Sequence, residues 1–260
     1  MSAEVNTRSG NLSRRRVQIY LLRFLLLAAV LGLWVYANTF GGVSTLILPE
    51  IGTVVSKYFE AITDPFMWGQ AGITLFEMIV AYAIAVVLGL GMGFLSSRNT
   101  TIVKAVEPLY AWGYMLPFVL LYPLFLLWVG AGIESKIAYA AAGAFFPIAY
   151  NTVKGLANVD STYLRVGRAY GAKKWQMDLQ IKAGAARPMI LSGLRIGISV
   201  VTIMVVLAEL LGSKEGLGHQ IEAASSSFQI ANAYGYILFL ITISATFLAV
   251  MERLLKTKSD

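Results

Sequence analysis

The sequence predicts an all-α polytopic membrane protein with six transmembrane helices. Of its 260 residues, 57% are hydrophobic and 13% are charged, whereas a soluble domain carries about 25% charged residues. Mean hydropathy is +0.68. A bilayer core needs about 20 apolar residues per helix. Six runs approach or exceed that length, at residues 17–37, 70–95, 105–129, 137–153, 189–211 and 234–255.

The chain before the second run divides into two parts. Residues 1–16 form a polar tail that ends in Arg14, Arg15 and Arg16. Residues 17–65 hold the first transmembrane helix and then a segment, Gly41–Asp64, whose apolar residues repeat with helical spacing, which predicts an amphipathic helix on the outer membrane face. Basic residues before an apolar run also fit a cleaved signal peptide. The first run exceeds the 7–15 residues of a signal core, which favours a retained span.

The distribution of Lys and Arg predicts the orientation. With the N-terminus inside, only three of the 21 basic residues, Lys57, Lys136 and Lys214, fall on the outer side. Cytoplasmic loops carry the excess of Lys and Arg. We therefore expect a multi-pass protein of the plasma (inner) membrane with both termini in the cytoplasm. The net charge of +7 has the same origin and gives no reason to expect a nucleic-acid partner.

The residue inventory argues against catalysis by the chain itself. It contains no Cys and a single His, His219, so we expect no metal site, no cofactor and no catalytic residue. There is no GxxxxGK[ST] loop, so ATP hydrolysis would reside in a partner subunit. Two other function classes remain as alternatives at this point: a polytopic membrane enzyme, which would need an acid/base or metal site, and an ion-coupled secondary carrier.

The inner segment 154–188 is too long for a simple connection between membrane helices. It carries seven basic residues. Asp160 or Ser161 is a plausible N-cap of a short helix that Gly171 ends, and a second amphipathic helix is predicted from Lys173 through Ile181. A solvated basic loop explains the charges, whereas a docking element for a cytoplasmic partner also explains the apolar positions.

Within this segment the stretch Arg165–Gly184 resembles the cytoplasmic motif of type I ABC importer permeases, written EAA, three residues, G, nine residues, I-x-L-P. Gly171 takes the glycine position and Ile181 the isoleucine. Arg165-Val166-Gly167 stands in place of EAA, and Ala183-Gly184 in place of Leu-Pro.

The segments that flank this motif also carry the resemblance. Leu126–Thr152, Gly171–Gln176, Ala186–Gly197 and Ala208–Gly218 look like the corresponding parts of the nitrate/sulfonate/taurine-type branch. The likeness covers about residues 71–255, which makes residues 66–256 the predicted type 1 transmembrane domain.

The resemblance implies the type I ABC importer transmembrane fold and alternating access driven by a partner. The expected partners are two cytoplasmic ABC ATPase subunits, an extracytoplasmic solute-binding protein, a second copy of the permease and membrane lipid. The cargo would be a small organic or anionic solute. The coupling helix that meets the ATPase would use six residues: Leu164, Arg165, Arg168, Ala169, Gly171 and Ala172.

Three further residues are candidates for the translocation pathway. Glu77 and Glu209 lie in apolar runs, where an ionisable side chain usually faces an interior or a cavity, and Pro117 interrupts the third run. Alternatively, Glu77 is interfacial or paired with a Lys, and Glu209 has a structural or gating role. Related permeases often carry Arg at the position of Glu77. If Glu77 lines the pathway, a small inorganic anion is a poor substrate.

Overall fold

The computed structural model describes residues 2–256, with side chains from Gln18 onward, and this part of the chain is helical without strands. Four helical segments in it are long and apolar enough to cross a membrane: Gln18–Thr39, Pro65–Ser96, Lys174–Gly212 and Ile230–Lys256. They belong to α1 (Ser2–Thr39), α3 (Pro65–Ser96), α9 (Ala183–Gly212) and α11 (Ile230–Lys256). The first, second, fifth and sixth predicted spans are thus found as helices.

The fourth predicted span is the centre of the bundle. It is α6 (Ile133–Ala157), a helix of 25 residues whose inner faces are small or polar rather than strongly apolar. α3 and α9 pack against α6 more extensively than any other elements pack together. A helix enclosed in this way meets other helices rather than lipid, so it needs less apolar surface than the helices around it.

Glycines allow the close approach of these three helices. A Cβ at Gly89 of α3 would lie 2.7 Å from Ile148 Cγ2, and one at Gly197 of α9 would lie 2.7 Å from Ile148 Cδ1. Gly93 and Gly193 face α6 in the same way, whereas Gly91 meets no atom within 4 Å. Small residues at helix interfaces are the usual means of tight packing in membranes, so these four glycines allow α3 and α9 to pack closely on α6.

The third predicted span is not one helix. α4 (Thr100–Met115) ends before Pro117, a 3₁₀ turn covers Phe118–Leu121, and α5 (Tyr122–Val129) continues the chain. The two halves are bent by 84°, so the third predicted span is a broken one, interrupted at Pro117. Pro117 donates no backbone hydrogen bond. The turn keeps Phe118 and Tyr122 buried.

The outer segments pack onto the bundle. From Gln18 onward α1 has no buried residue, but its C-terminal end is fixed, because Trp34 Nε1 donates to the Pro49 carbonyl at 2.9 Å and the Trp34 ring lies 5.6 Å from that of Tyr234. The predicted outer amphipathic helix is α2 (Ile51–Thr63), which packs against α11. A further helix, α10 (Leu217–Ser226), lies in the loop between α9 and α11.

The inner segment forms one short helix and one extension of a long helix. α7 covers Ser161–Ala169. The predicted second helix is present, but it is not separate: α8 (Lys174–Gln176), a π-helical turn (Met177–Lys182) and α9 run on as one helix, Lys174–Gly212. Gly184 lies inside this helix and does not break it. Its backbone does not have a positive φ, and the neighbouring residues favour helix.

Candidate coupling surface and buried charged cluster

Both ends of α7 are fixed by local hydrogen bonds. The Asp160 carboxylate accepts from the Thr162 backbone N–H at 2.7 Å, which satisfies one of the free donors at the N-terminus of the helix. This hydrogen bond from Thr162 holds the pKa of the Asp160 carboxyl group below its ordinary value. The N-cap predicted from the sequence is therefore confirmed.

The C-terminus of α7 is a Schellman turn. Gly171 has φ +71°, and the N–H groups of Gly171 and Ala172 donate to the carbonyls of Arg168 and Gly167, each at 3.0 Å. A residue with a side chain rarely adopts this backbone conformation. The glycine of the sequence motif is thus required by the turn itself.

α7 lies against the π-helical turn. Gly167 is buried, and a Cβ there would overlap Ile181 Cδ1 and lie 2.7 Å from Met177 Sδ. The two conspicuous positions of the motif thus have local structural roles: Gly171 turns the chain, and Ile181 packs against Gly167. Together they hold α7 as a knob against the π-helical turn that precedes α9.

The knob presents a groove of about 830 Å³. Leu164, Arg168 and Ala172 line it, so three of the six predicted coupling residues are brought together. Arg165, Ala169 and Gly171 are exposed beside it. The groove is completed by residues that the sequence analysis did not single out: Arg98, Lys174, Trp175, Met177, Asp178 and Lys182.

Exposed apolar side chains lie in this groove, which Trp175 lines, and in a second pocket that Tyr163, Val166 and Tyr170 line. Tyr170 is 88% exposed, and Tyr163, Val166, Trp175 and Leu179 are each at least half exposed. Several exposed apolar side chains on a surface that also carries Arg and Lys are typical of a protein-binding site. We call this surface, formed by the groove and these exposed apolar side chains, the coupling surface.

At the opposite end of the bundle, three charged side chains meet in the interior. Glu77 of α3 and Glu209 of α9 are both fully buried, and Lys136 of α6 is 3% exposed. Lys136 forms a salt bridge with Glu77 and donates to Ser213 Oγ at 2.9 Å. We call Glu77, Lys136 and Glu209 the buried charged cluster.

Glu209 fastens the loop between α9 and α10 to the bundle. It accepts from Thr74 Oγ1 at 2.7 Å and from the Gly218 N–H at 2.8 Å. Gly218 lies in the first turn of α10, so the carboxylate sits at the positive end of that helix. The loop is further held by the Gly216 N–H, which donates to Gln70 Oε1 at 2.6 Å. Glu209 therefore holds this loop in place, and a pathway or gating role for it stays a prediction.

The structure brings together only two of the three residues predicted for the translocation pathway. Glu77 and Glu209 belong to one cluster, whereas Pro117 lies exposed at the α4–α5 break. Glu77 is paired with Lys136, so its charge gives no argument about the charge of the substrate, and a pathway role for it stays a prediction. Lys136 was missed as a site residue. Its signal was that it is the one basic residue near the outer end of the fourth predicted span.

Comparisons with known proteins agree on one family. The family model described as "Binding-protein-dependent transport system inner membrane component" matches residues 85–257. An aliphatic sulfonates transport permease of Bacillus subtilis (strain 168) is 30% identical over 240 residues, covering 91% of this chain and 87% of that protein. A taurine transport permease of Escherichia coli (strain K12) is 28% identical, with coverage of 76% and 74%.

Another relative is named for a different solute, and a solved structure has a similar fold. A riboflavin transport permease of Chloroflexus aurantiacus is 29% identical and covers 88% of this chain and 87% of its own. Among solved structures, the MetNI methionine ABC transporter in an inward-facing conformation aligns with a TM-score of 0.64 at 19% identity, covering 76% of this chain and all of that one. This likeness shows that the fold is that of an ABC importer membrane subunit.

Proposed function

Because the chain belongs to the inner-membrane components of binding-protein-dependent transport systems, as a type I ABC importer permease of the sulfonate/taurine branch, we propose that its coupling surface receives the ATPase and that two copies act with two ATPase subunits. The chain is a transport subunit and not an enzyme. The family match sets aside both the membrane enzyme and the ion-coupled carrier.

The observation that carries the coupling proposal is the construction of α7. A short helix is held rigidly by a capped start and a Schellman end, yet its outward side chains are exposed. A rigid element transmits displacement, whereas a flexible loop would absorb it. When the two ATPase subunits close on ATP, each of them moves the α7 knob that is seated in it. This movement passes through the continuous helix Lys174–Gly212 to the outer loop.

Substitution of Gly171 tests this proposal. Gly171→Val places a β-branched residue at φ +71°, which is strained by about 1–3 kcal/mol, so the turn and the seat of α7 change. We expect the protein to reach the membrane but to lose solute uptake and co-purification of the ATPase. Gly184→Val is the matched control, because a Cβ there has open space and an ordinary φ.

The comparison between the two variants decides the outcome. Normal uptake by Gly171→Val would show that this turn does not couple transport to ATP hydrolysis. Equal loss in both variants would mean that added bulk at the inner end, rather than the turn, is responsible.

We further propose that the cargo is a small polar organic solute. The named relatives carry sulfonates, taurine and riboflavin, and these share polar groups on a compact organic frame. Calorimetric titration of the partner solute-binding protein with taurine, an alkanesulfonate, riboflavin and nitrate would test this proposal. Tight binding of nitrate alone would refute it.

The orientation also belongs to the proposal. The excess of basic residues supports a cytoplasmic position for both termini and the coupling surface, and an outer position for α2 and α10. This orientation puts the coupling surface within reach of the ATPase and puts the buried charged cluster near the outer face, where the solute-binding protein docks.

A further inference from the structure

The buried charged cluster has an excess of negative charge. The cluster holds two carboxyl groups, Glu77 and Glu209, and one ammonium group, Lys136, which pairs with Glu77, and all three are almost completely excluded from solvent. The N-terminus of α10 contributes about half a positive charge next to Glu209. An uncompensated charge in a low-dielectric interior is costly, so such clusters are normally balanced by a counter-ion or a proton.

Hydrogen bonding in the cluster is also incomplete. Glu77 Oε2 has no hydrogen-bond donor among the described residues, and the hydroxyl groups of Tyr122 and Tyr139 have no partner there either. Both phenols are at most 1% exposed. Their rings lie 5.1 Å apart, and both pack in one buried cluster with Ala208, the chain neighbour of Glu209.

These groups have the chemistry of a site for a hard cation. Carboxylate and hydroxyl oxygens are the ligands that alkali and alkaline-earth ions prefer. The surplus of at most one negative charge fits a monovalent rather than a divalent ion. A water molecule would satisfy the hydroxyl groups but would leave the charge uncompensated.

We infer that the buried charged cluster binds one monovalent cation, sodium or a proton, between Glu77, Glu209 and the phenol of Tyr122. The cation completes the attachment of the outer loop, since Glu209 holds α10 through Gly218 and Lys136 holds Ser213 and the Glu215 carbonyl. Occupancy of the site thereby stabilises the packed position of the loop that closes the outer end of the bundle.

The charged and titratable groups that face the site come from every element around it. They are Glu77 on α3, Tyr122 on α5, Lys136 and Tyr139 on α6, Glu209 on α9 and Glu215 in the outer loop. The surplus charge disappears when Glu77 is replaced by Gln, because Lys136 and Glu209 then balance each other. Glu77→Gln is therefore expected to abolish the need for the cation.

The experiment measures thermal unfolding of the full-length permease purified with its ATPase subunits. Sodium chloride replaces choline chloride at constant ionic strength and pH, and in a second series the pH is lowered from 8 to 6 without sodium. If sodium is the ligand, the melting temperature rises by several degrees with sodium. If a proton is the ligand, it rises toward pH 6 and is indifferent to sodium.

The variants decide between specific binding and a general salt or pH effect. Either response should be lost in Glu77→Gln and retained in Glu222→Gln, which removes an exposed carboxylate of α10. If Glu77→Gln fails to fold, Tyr122→Phe takes its place. It keeps both carboxylates, removes one oxygen ligand and is expected to weaken the response.

Two results would overturn the inference. The first is a wild-type complex whose melting temperature responds to neither sodium nor pH, which would indicate that hydration alone fills the site. The second is a response that is unchanged in Glu77→Gln or, where that variant does not fold, in Tyr122→Phe.

Discussion

Replacement of Lys136 by Met tests the electrostatics of the buried charged cluster most directly. Lys136 is the one positive side chain that the structure places beside Glu77, and removing it leaves two buried carboxyl groups facing each other. Breaking a buried ion pair from one side costs about 3–5 kcal/mol. For a chain of this size, 1 kcal/mol corresponds to about 2–4 °C in melting temperature, so we expect a decrease of about 6–20 °C.

The same reasoning predicts an asymmetry between the partners. Glu77→Gln leaves one ammonium and one carboxylate, and Glu209 keeps its hydrogen bonds from Thr74 and Gly218. We expect it to cost about 1 kcal/mol or less, because charge balance is retained. The double variant Lys136→Met/Glu77→Gln should recover most of the loss caused by Lys136→Met.

The assay is thermal unfolding of the purified complex in one detergent, with Lys57→Met as control. Lys57 forms a surface pair with Glu60 in which the two side chains are 32% and 61% exposed, and such pairs contribute about 0–1 kcal/mol. Equal stability of Lys136→Met and Glu77→Gln, or a loss for Lys136→Met no larger than that of Lys57→Met, would refute the reasoning.

Three further predictions concern packing, capping and orientation. Gly89→Ala places a Cβ 2.7 Å from Ile148 and should destabilise the bundle by about 1–3 kcal/mol, whereas Gly91→Ala, with open space, should not; equal melting temperatures would contradict the packing. Asp160→Ala should increase proteolysis within α7, and wild-type protection should weaken only at pH values low enough to protonate this carboxyl group, whose pKa is lowered. In Lys173→Cys, a membrane-impermeant thiol reagent should label inside-out vesicles but not intact cells, and labelling from outside would reverse the topology.

Several features were predictable from the sequence because they depend on neighbouring residues. Hydropathy over about 20 residues located the apolar helices. The N-cap at Asp160 and the turn at Gly171 followed from the preferences of Asp and Gly at helix ends. The resemblance to importer permeases also rested on local segments, and the family match confirmed it.

Other features depended on partners distant in the chain. Pro108, Pro147 and Pro188 all lie inside helices, so proline alone does not predict that the chain bends at Pro117. The bend occurs where it allows Phe118 and Tyr122 to pack in one buried cluster with Tyr139 and Ala208.

The buried charged cluster shows the same limit. The sequence identified Glu77 and Glu209 as costly side chains in apolar runs but did not identify their partners. Thr74 and Glu209, which share a hydrogen bond, are separated by 135 positions. Local preferences and hydropathy act over a few turns of helix, whereas the pairing of buried charges is decided only when α3, α6 and α9 pack and exclude water from between them.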